Sequence, residues 1–160
     1  PEEAARVAGL ANGSLVQAAL MQDPAMSSLR ETLYENLAAR PMDPLKTIDQ
    51  VVEAWEEASS DTYSKRQNAT WLIRFAIEFY RAVLRYLAGV DAESRIPQVN
   101  RYCRELVTGD AEAIDRISDM LERCLEAENE PLVGNVMLPM GLEALFYELA
   151  RTSRQGVPIA

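Results

Sequence analysis

The side chains best spaced for chemistry are carboxylates. Asp115 and Asp119 lie four apart, as do Glu122 and Glu126, and that spacing stacks each pair on one face of a helix. Two such pairs resemble half of a carboxylate metal site, but that design also draws a Glu-x-x-His segment from a facing helix. The chain has no histidine at all, so the commonest metal ligand and the commonest general acid or base are both missing. The same spacing suits a solvated helix face, and that is the expectation here. The residues point to no catalytic group, no metal ligand and no cofactor.

Nucleotide chemistry lacks its parts as well. No glycine loop runs into Lys-Ser or Lys-Thr, and no Gly-x-Gly-x-x-Gly follows a strand, so phosphates find no cradle and the chain alone is not expected to hydrolyse ATP. Cys103 and Cys124 stand 21 residues apart with no second Cys or His nearby to complete a metal site, and are expected to be buried free thiols rather than a disulfide. Trp71, Phe75, Phe79, Tyr80 and Tyr86 lie near arginines and could imitate a base-stacking surface. Their spacing of three and four favours core packing instead.

Three arginines are the one patterned charge. Arg74, Arg81 and Arg85 differ by seven and four residues, which on an ideal helix places them within roughly 40° of one another. A stripe on an otherwise apolar helix must either emerge at a surface or pair with acids, because an unpaired buried guanidinium is very costly. Two partners fit: the acidic 110–130 segment within the fold, or a neighbouring subunit. The stripe with its flanking aromatics is the candidate partner interface.

The elements that position these residues all read as helices. Strong helix formers dominate, and no stretch alternates with the period of a strand. A helix from Glu2 stops at Asn12-Gly13, and Ser14 with Gln17 opens another that Asp23-Pro24 ends. Ser28 to Ala39 carries Leu29, Leu33, Tyr34 and Leu37 and closes at Arg40-Pro41. Asp43 caps the next helix with Pro44 at its first position, and Ile48, Val51, Val52 and Trp55 form its stripe.

The longest helix spans about Asp61 to Ala88. Trp71, Leu72, Phe75, Ala76, Phe79, Val83 and Leu87 cover one broad side, while Ile73, Ile77, Tyr80 and Leu84 widen it, so this helix is expected at the centre. Gly89 terminates it. Val99 to Val107 forms a shorter helix ending at Thr108-Gly109, and Asp110 caps one that carries Ile114, Ile117, Met120, Leu121, Cys124 and Leu125. Pro139 to Thr152 forms the last, with Leu142, Leu145, Phe146 and Leu149. About five main helices without an internal repeat predict an all-α, compact bundle.

Composition narrows the partners. The net charge of −9 argues against broad binding to nucleic acid, and it is unevenly spread: residues 1–64 hold four bases and eleven acids, residues 65–104 eight and three, residues 105–130 two and nine. No run is long and apolar enough for a membrane span, and the start has no secretory signal, so a cytoplasmic protein with no membrane partner is expected. Pro1 opens inside a helical pattern, which suggests a domain cut from a longer protein.

The run Arg6-Val-Ala-Gly-Leu-Ala-Asn-Gly-Ser-Leu-Val-Gln-Ala-Ala-Leu20 resembles the end of the lid subdomain of clamp-loader AAA+ ATPases, where a small-residue helix leads into Gly-Ser and an Ala-rich helix. Members of that family that use ATP carry an arginine two residues after the Ser, and it reaches the phosphates. Val16 stands there in this chain, a degenerate nucleotide-sensing position, so the likeness points to the delta-prime type of subunit, which keeps the architecture without hydrolysis, ahead of gamma/tau. Asn129 to Leu149, with Pro131, Asn135, Val136 to Leu138 and Gly141-Leu-Glu-Ala-Leu-Phe146, is similar to the family's ending, an Asn-containing loop and a Leu-Leu-Glu helix.

The resemblance implies residues 1–22 as the end of a lid, 23–153 as a helical collar domain that oligomerises, and 154–160 as a flexible tail. It also implies other subunits of the DNA polymerase III clamp loader, gamma/tau and delta, as partners during DNA replication, with DNA touched only through the complex. Its mechanism would be mechanical: collars of five subunits pack into a ring that holds the ATPase modules in order while a sliding clamp is loaded. An unrelated helical adaptor is the alternative, and a carboxylate-metal bundle a third.

Overall fold

A computed structural model describes residues 22–106, 110–130 and 137–155, together with residues 2, 4, 5 and 19. Among these it has six helices and no strand: α1 Pro24–Ala38, α2 Pro44–Glu57, α3 Thr62–Leu87, α4 Pro97–Glu105, α5 Ala113–Asn129 and α6 Met137–Arg154. The all-α bundle expected from the sequence is what the chain forms. Of the helices expected before Asp23 only residues 2, 4, 5 and 19 are described, all helical, and the stop at Thr108-Gly109, Val16 and residues 156–160 lie outside the described residues.

The centre of the bundle is α3, which packs against every other described helix and most extensively against α5. Its length and its breadth of apolar surface have one cause. Trp71, Leu72, Ile73, Phe75, Ala76, Ile77, Phe79, Tyr80 and Val83 are all buried, and together they cover more than one face. A helix this apolar needs neighbours all round. Short-range chemistry fixes both ends. The Asp61 carboxylate accepts the Ser64 N–H at 2.7 Å while the Ser64 hydroxyl accepts the Asp61 N–H at 3.0 Å, a reciprocal capping box. At the other end Gly89 takes φ +72°, the left-handed turn that releases the chain from the helix.

Four helices lie against this rod with their apolar stripes inward. Leu29, Leu33, Tyr34 and Leu37 of α1, Val51 and Trp55 of α2, Ile117, Met120 and Cys124 of α5, and Leu142, Leu145, Phe146 and Leu149 of α6 join a single core. The short α4 adds Val99, Tyr102 and Cys103. Phe79 sits at the meeting point of the rings, with centroids 5.7 Å from Tyr34, 5.4 Å from Tyr80 and 5.9 Å from Tyr102. Tyr34 is tilted against Phe79, while Tyr80 and Tyr102 meet it edge-on, which suits the positive rim and negative face of aromatic rings.

Two helix starts differ from the sequence reading. The helix expected from Ser28 starts four residues earlier, at Pro24: the Asp23 side chain accepts the Ala25 N–H at 2.9 Å and Pro24 fills the first turn, where no N–H is needed. Asp110 does not cap α5. The N-cap is Glu112, which makes no side-chain cap, and Asp110 folds a turn ahead of the helix by accepting the Glu112 N–H at 3.1 Å and pairing with Arg116. Asp43, by contrast, caps α2 as expected by accepting the Lys46 N–H at 3.2 Å.

Candidate interaction surfaces

Side-chain hydrogen bonds pin the helices and decide which polar groups remain for a partner. Buried Asn36 donates to the Thr32 carbonyl at 2.9 Å and to Gln50 Oε1 at 3.0 Å, and accepts from Thr47 Oγ1 at 3.3 Å, which locks α1 to α2. Gln98 donates through one amide nitrogen to Glu31 at 2.8 Å and Glu35 at 3.0 Å, and Arg101 donates to Glu35 at 2.8 Å, which locks α4 to α1. These bonds, Arg101 first, hold the Glu35 carboxyl below its ordinary value despite partial burial. Arg123 ties α5 to α6: it donates to Glu148 and, at 3.0 Å, to Glu130. None of these ties was legible in the sequence except as scattered charge.

The arginine stripe divides. Arg74 is half-buried, stacks over the Trp71 ring at 5.1 Å and pairs with Glu128 of α5 at 2.8 Å, so it is neutralised by the acidic 110–130 segment. Arg85 grips Asp91 with two bonds, at 2.7 and 3.1 Å, and the pairing lowers the Asp91 carboxyl and raises the guanidinium. Arg81 is exposed and has no ion pair among the described residues. All three lie on one wall of an open groove of roughly 730 Å³, as their spacing requires. Of the stripe, Arg81 alone keeps its charge open to a neighbour.

The flanking aromatics do not extend that surface. Trp71, Phe75, Phe79 and Tyr80 are buried, which removes them from any base-stacking role and places them in the core. Tyr86 packs against the core while partly buried. Cys103 and Cys124 are buried free thiols, and burial pushes them up to about 11 and about 12. Asp115, Asp119, Glu122 and Glu126 are all exposed on α5, and among the described residues no group of three or more His, Cys, Asp or Glu is placed to hold a metal ion. No helix among them is long and apolar enough to cross a membrane.

A different surface carries the apolar exposure. Leu142, Leu145, Phe146 and Leu149 turn the inner face of α6 into the core, while Met140 at 59% and Tyr147 at 49% remain open on its outer face. Met140, Ala144 and Tyr147 follow at intervals of four and three, so they form one stripe, and exposed Arg151 continues it. The outer face was legible in principle, since a helix with apolar residues at 140, 142, 145, 146, 147 and 149 has more of them than one inner stripe holds. Glu143 and Glu148 sit half-buried beside it. Such a face can adhere to another helix. Comparison with known proteins finds no matching family model, no matching curated protein and no matching solved structure.

Proposed function

We propose that the chain is a non-catalytic assembly domain of clamp-loader type, a delta-prime-like collar that packs against the collars of gamma/tau and delta subunits in the cytoplasm. The observation that carries this reading is the outer face of α6, where Met140, Ala144 and Tyr147 stand exposed on a helix whose other face is fully committed to the core. Interfaces are built from such faces: an apolar strip with an aromatic anchor, flanked by charges that set which neighbour fits. Arg151 supplies the flanking charge on α6, and Arg81, exposed on α3, is the open charge of the arginine stripe. The likeness of both ends of the sequence to the lid and collar of that family gives the partner, and the bundle of helices agrees with a domain that transmits position rather than performs a reaction.

The test is assembly. The chain is mixed with gamma/tau and delta subunits and the complex is measured by gel filtration, for the parent and for a Met140→Glu, Tyr147→Glu variant. Both positions are exposed, so the variant should fold with the parent's helicity and midpoint, while its association weakens at least tenfold. Arg81→Glu should reduce assembly less and make it more salt-dependent, as a rim charge does. Unchanged association of the α6 variant would remove that face from the interface, and no association of the parent would remove the clamp-loader reading in favour of an unrelated helical adaptor.

A further inference from the structure

The loop between α1 and α2 carries a guanidinium that is positioned but not answered. Arg40 lies half-buried with its guanidinium carbon 5.5 Å from the centre of the Tyr102 ring, and among the described residues it makes no hydrogen bond and no ion pair. Nη1 is closed off from solvent, whereas Nε and Nη2, the edge that grips an oxyanion with two bonds, are not. A partly desolvated cation without a counter-charge is costly, and the ring face offsets only part of that cost.

The acids nearby are committed to other groups. Asp110, whose carboxyl Arg40 helps to hold below its ordinary value, is taken by Arg116 and by the Glu112 N–H. Glu35 is taken by Arg101 and Gln98. Exposed Glu105 borders an outer hollow that Arg40 also lines, but exposed Lys46 stands in the same wall to offset it, and neither has an ion pair among the described residues.

On its other side Arg40 lines a cavity of about 160 Å³ with Ala39, Pro41, Met42, Tyr102 and Ser153. Donors border it from three elements. Besides Arg40 in the loop there is Tyr102 of α4, whose hydroxyl has no hydrogen-bond partner among the described residues and, raised by burial, keeps its proton. Arg154 of α6 stands beside the cavity, donating to the Met42 carbonyl at a long 3.4 Å and pairing with no acid among the described residues. The Ser153 hydroxyl, by contrast, already donates to the Ala150 carbonyl at 2.9 Å.

We propose that this cavity binds one phosphate-sized oxyanion, gripped by the open edge of Arg40 and completed by the Tyr102 hydroxyl and Arg154. Donors from three directions suit a tetrahedral anion better than a planar carboxylate, which a single guanidinium fork satisfies. A cavity this small admits the anion without a sugar or base attached. Held there, the anion would tie the α1–α2 loop to α4 and α6. The inference concerns the chain alone and does not depend on the assembly reading.

Calorimetric titration of the chain with inorganic phosphate tests it, at constant ionic strength over a chloride background. The expected result is a saturable, one-to-one heat for the parent, with affinity lowered roughly tenfold or more in Arg40→Gln. Tyr102→Phe, which keeps its ring against Phe79, should lower it less. Arg40 has no partner to lose, so Arg40→Gln should keep the parent's helicity by circular dichroism, and Arg154→Gln, at an exposed position, gives a second reading of the same site. No saturable heat for the parent would leave the cavity to water and overturn the proposal. Equal affinity in the parent and Arg40→Gln would overturn it too, and so would acetate binding as tightly as phosphate, which would make a carboxylate the ligand.

Discussion

At the scale of single residues, the two cysteines and two tyrosines show how burial becomes a dependence on pH. Burial raises Cys124 from 9.0 to about 12 and Cys103 from 9.0 to about 11, and it raises the phenols of Tyr80 and Tyr102 above 10.0. The unfolded chain gives up these protons at their ordinary values while the folded chain keeps them. Stability is therefore whole below about pH 9 and falls as pH rises from there towards the folded values, because the unfolded state alone is ionising. Each group contributes a slope of up to about 1.4 kcal/mol per pH unit inside its window. Urea midpoints at pH 8 and near 10.5 measure the loss, and Cys124→Ala should make it shallower whatever the small cavity does to stability at pH 8. An unaltered slope would mean that the thiol is not the group responsible. The buried state of both cysteines was legible from their apolar surroundings in the sequence. Their neighbours were not, because Tyr80 and Cys124 meet through the packing of α3 on α5.

At the scale of elements, what was legible depended on how local the chemistry is. The ends of α3 were read almost to the residue because Asp61 acts on Ser64 and Gly89 acts on its own φ. Asp61→Ala should cost about 1 kcal/mol through the lost cap. Gly89→Ala should cost about 1 to 2 kcal/mol, all of it conformational, since a Cβ there meets nothing within 4 Å. Denaturation midpoints check both, and Gly89→Asn should recover part of the second because asparagine tolerates the left-handed region better. Asp-Pro was harder. The pair at 43–44 was read as a cap and the pair at 23–24 as a stop, although both open helices in the same way, because the apolar stripe of α1 becomes obvious only from Leu29 onward. The arginine stripe was legible as geometry, one face of α3. Its neutralisation was not, since Glu128 lies 54 residues from Arg74 and arrives only when α5 docks. The knot of Asn36, Thr47 and Gln50 was missed for the same reason, and so was buried Arg30, whose guanidinium lies 5.8 Å from the centre of the Phe75 ring. In the sequence these are polar residues interrupting a stripe.

At the scale of the whole molecule, the placement of α3 sets how the protein should unfold. A rod that touches every other described helix, inside one continuous core, couples the helices to one another, even though α2 and α6 lean more on α1, α5 and each other than on the rod itself. Phe79 is where that coupling is densest, with Tyr34 of α1 and Tyr102 of α4 both against its ring. Phe79→Ala should cost about 3 to 5 kcal/mol, a large part of the 5 to 15 kcal/mol that holds a domain folded. Two tryptophans can report where that cost is felt. Trp55, on α2, is buried and donates its indole N–H to the Lys65 carbonyl at 3.0 Å, while Trp71 lies on α3 beneath Arg74. In the single-tryptophan variants Trp55→Phe and Trp71→Phe, fluorescence from the remaining ring should follow the same transition as far-UV circular dichroism. Adding Phe79→Ala should shift both transitions by the same free energy although Trp55 is not among its ring contacts. Coincidence is the signature of one cooperative unit. A variant in which the Trp71 transition moves and the Trp55 transition stays would divide the bundle into separately folding parts, and the single core drawn around α3 would be wrong.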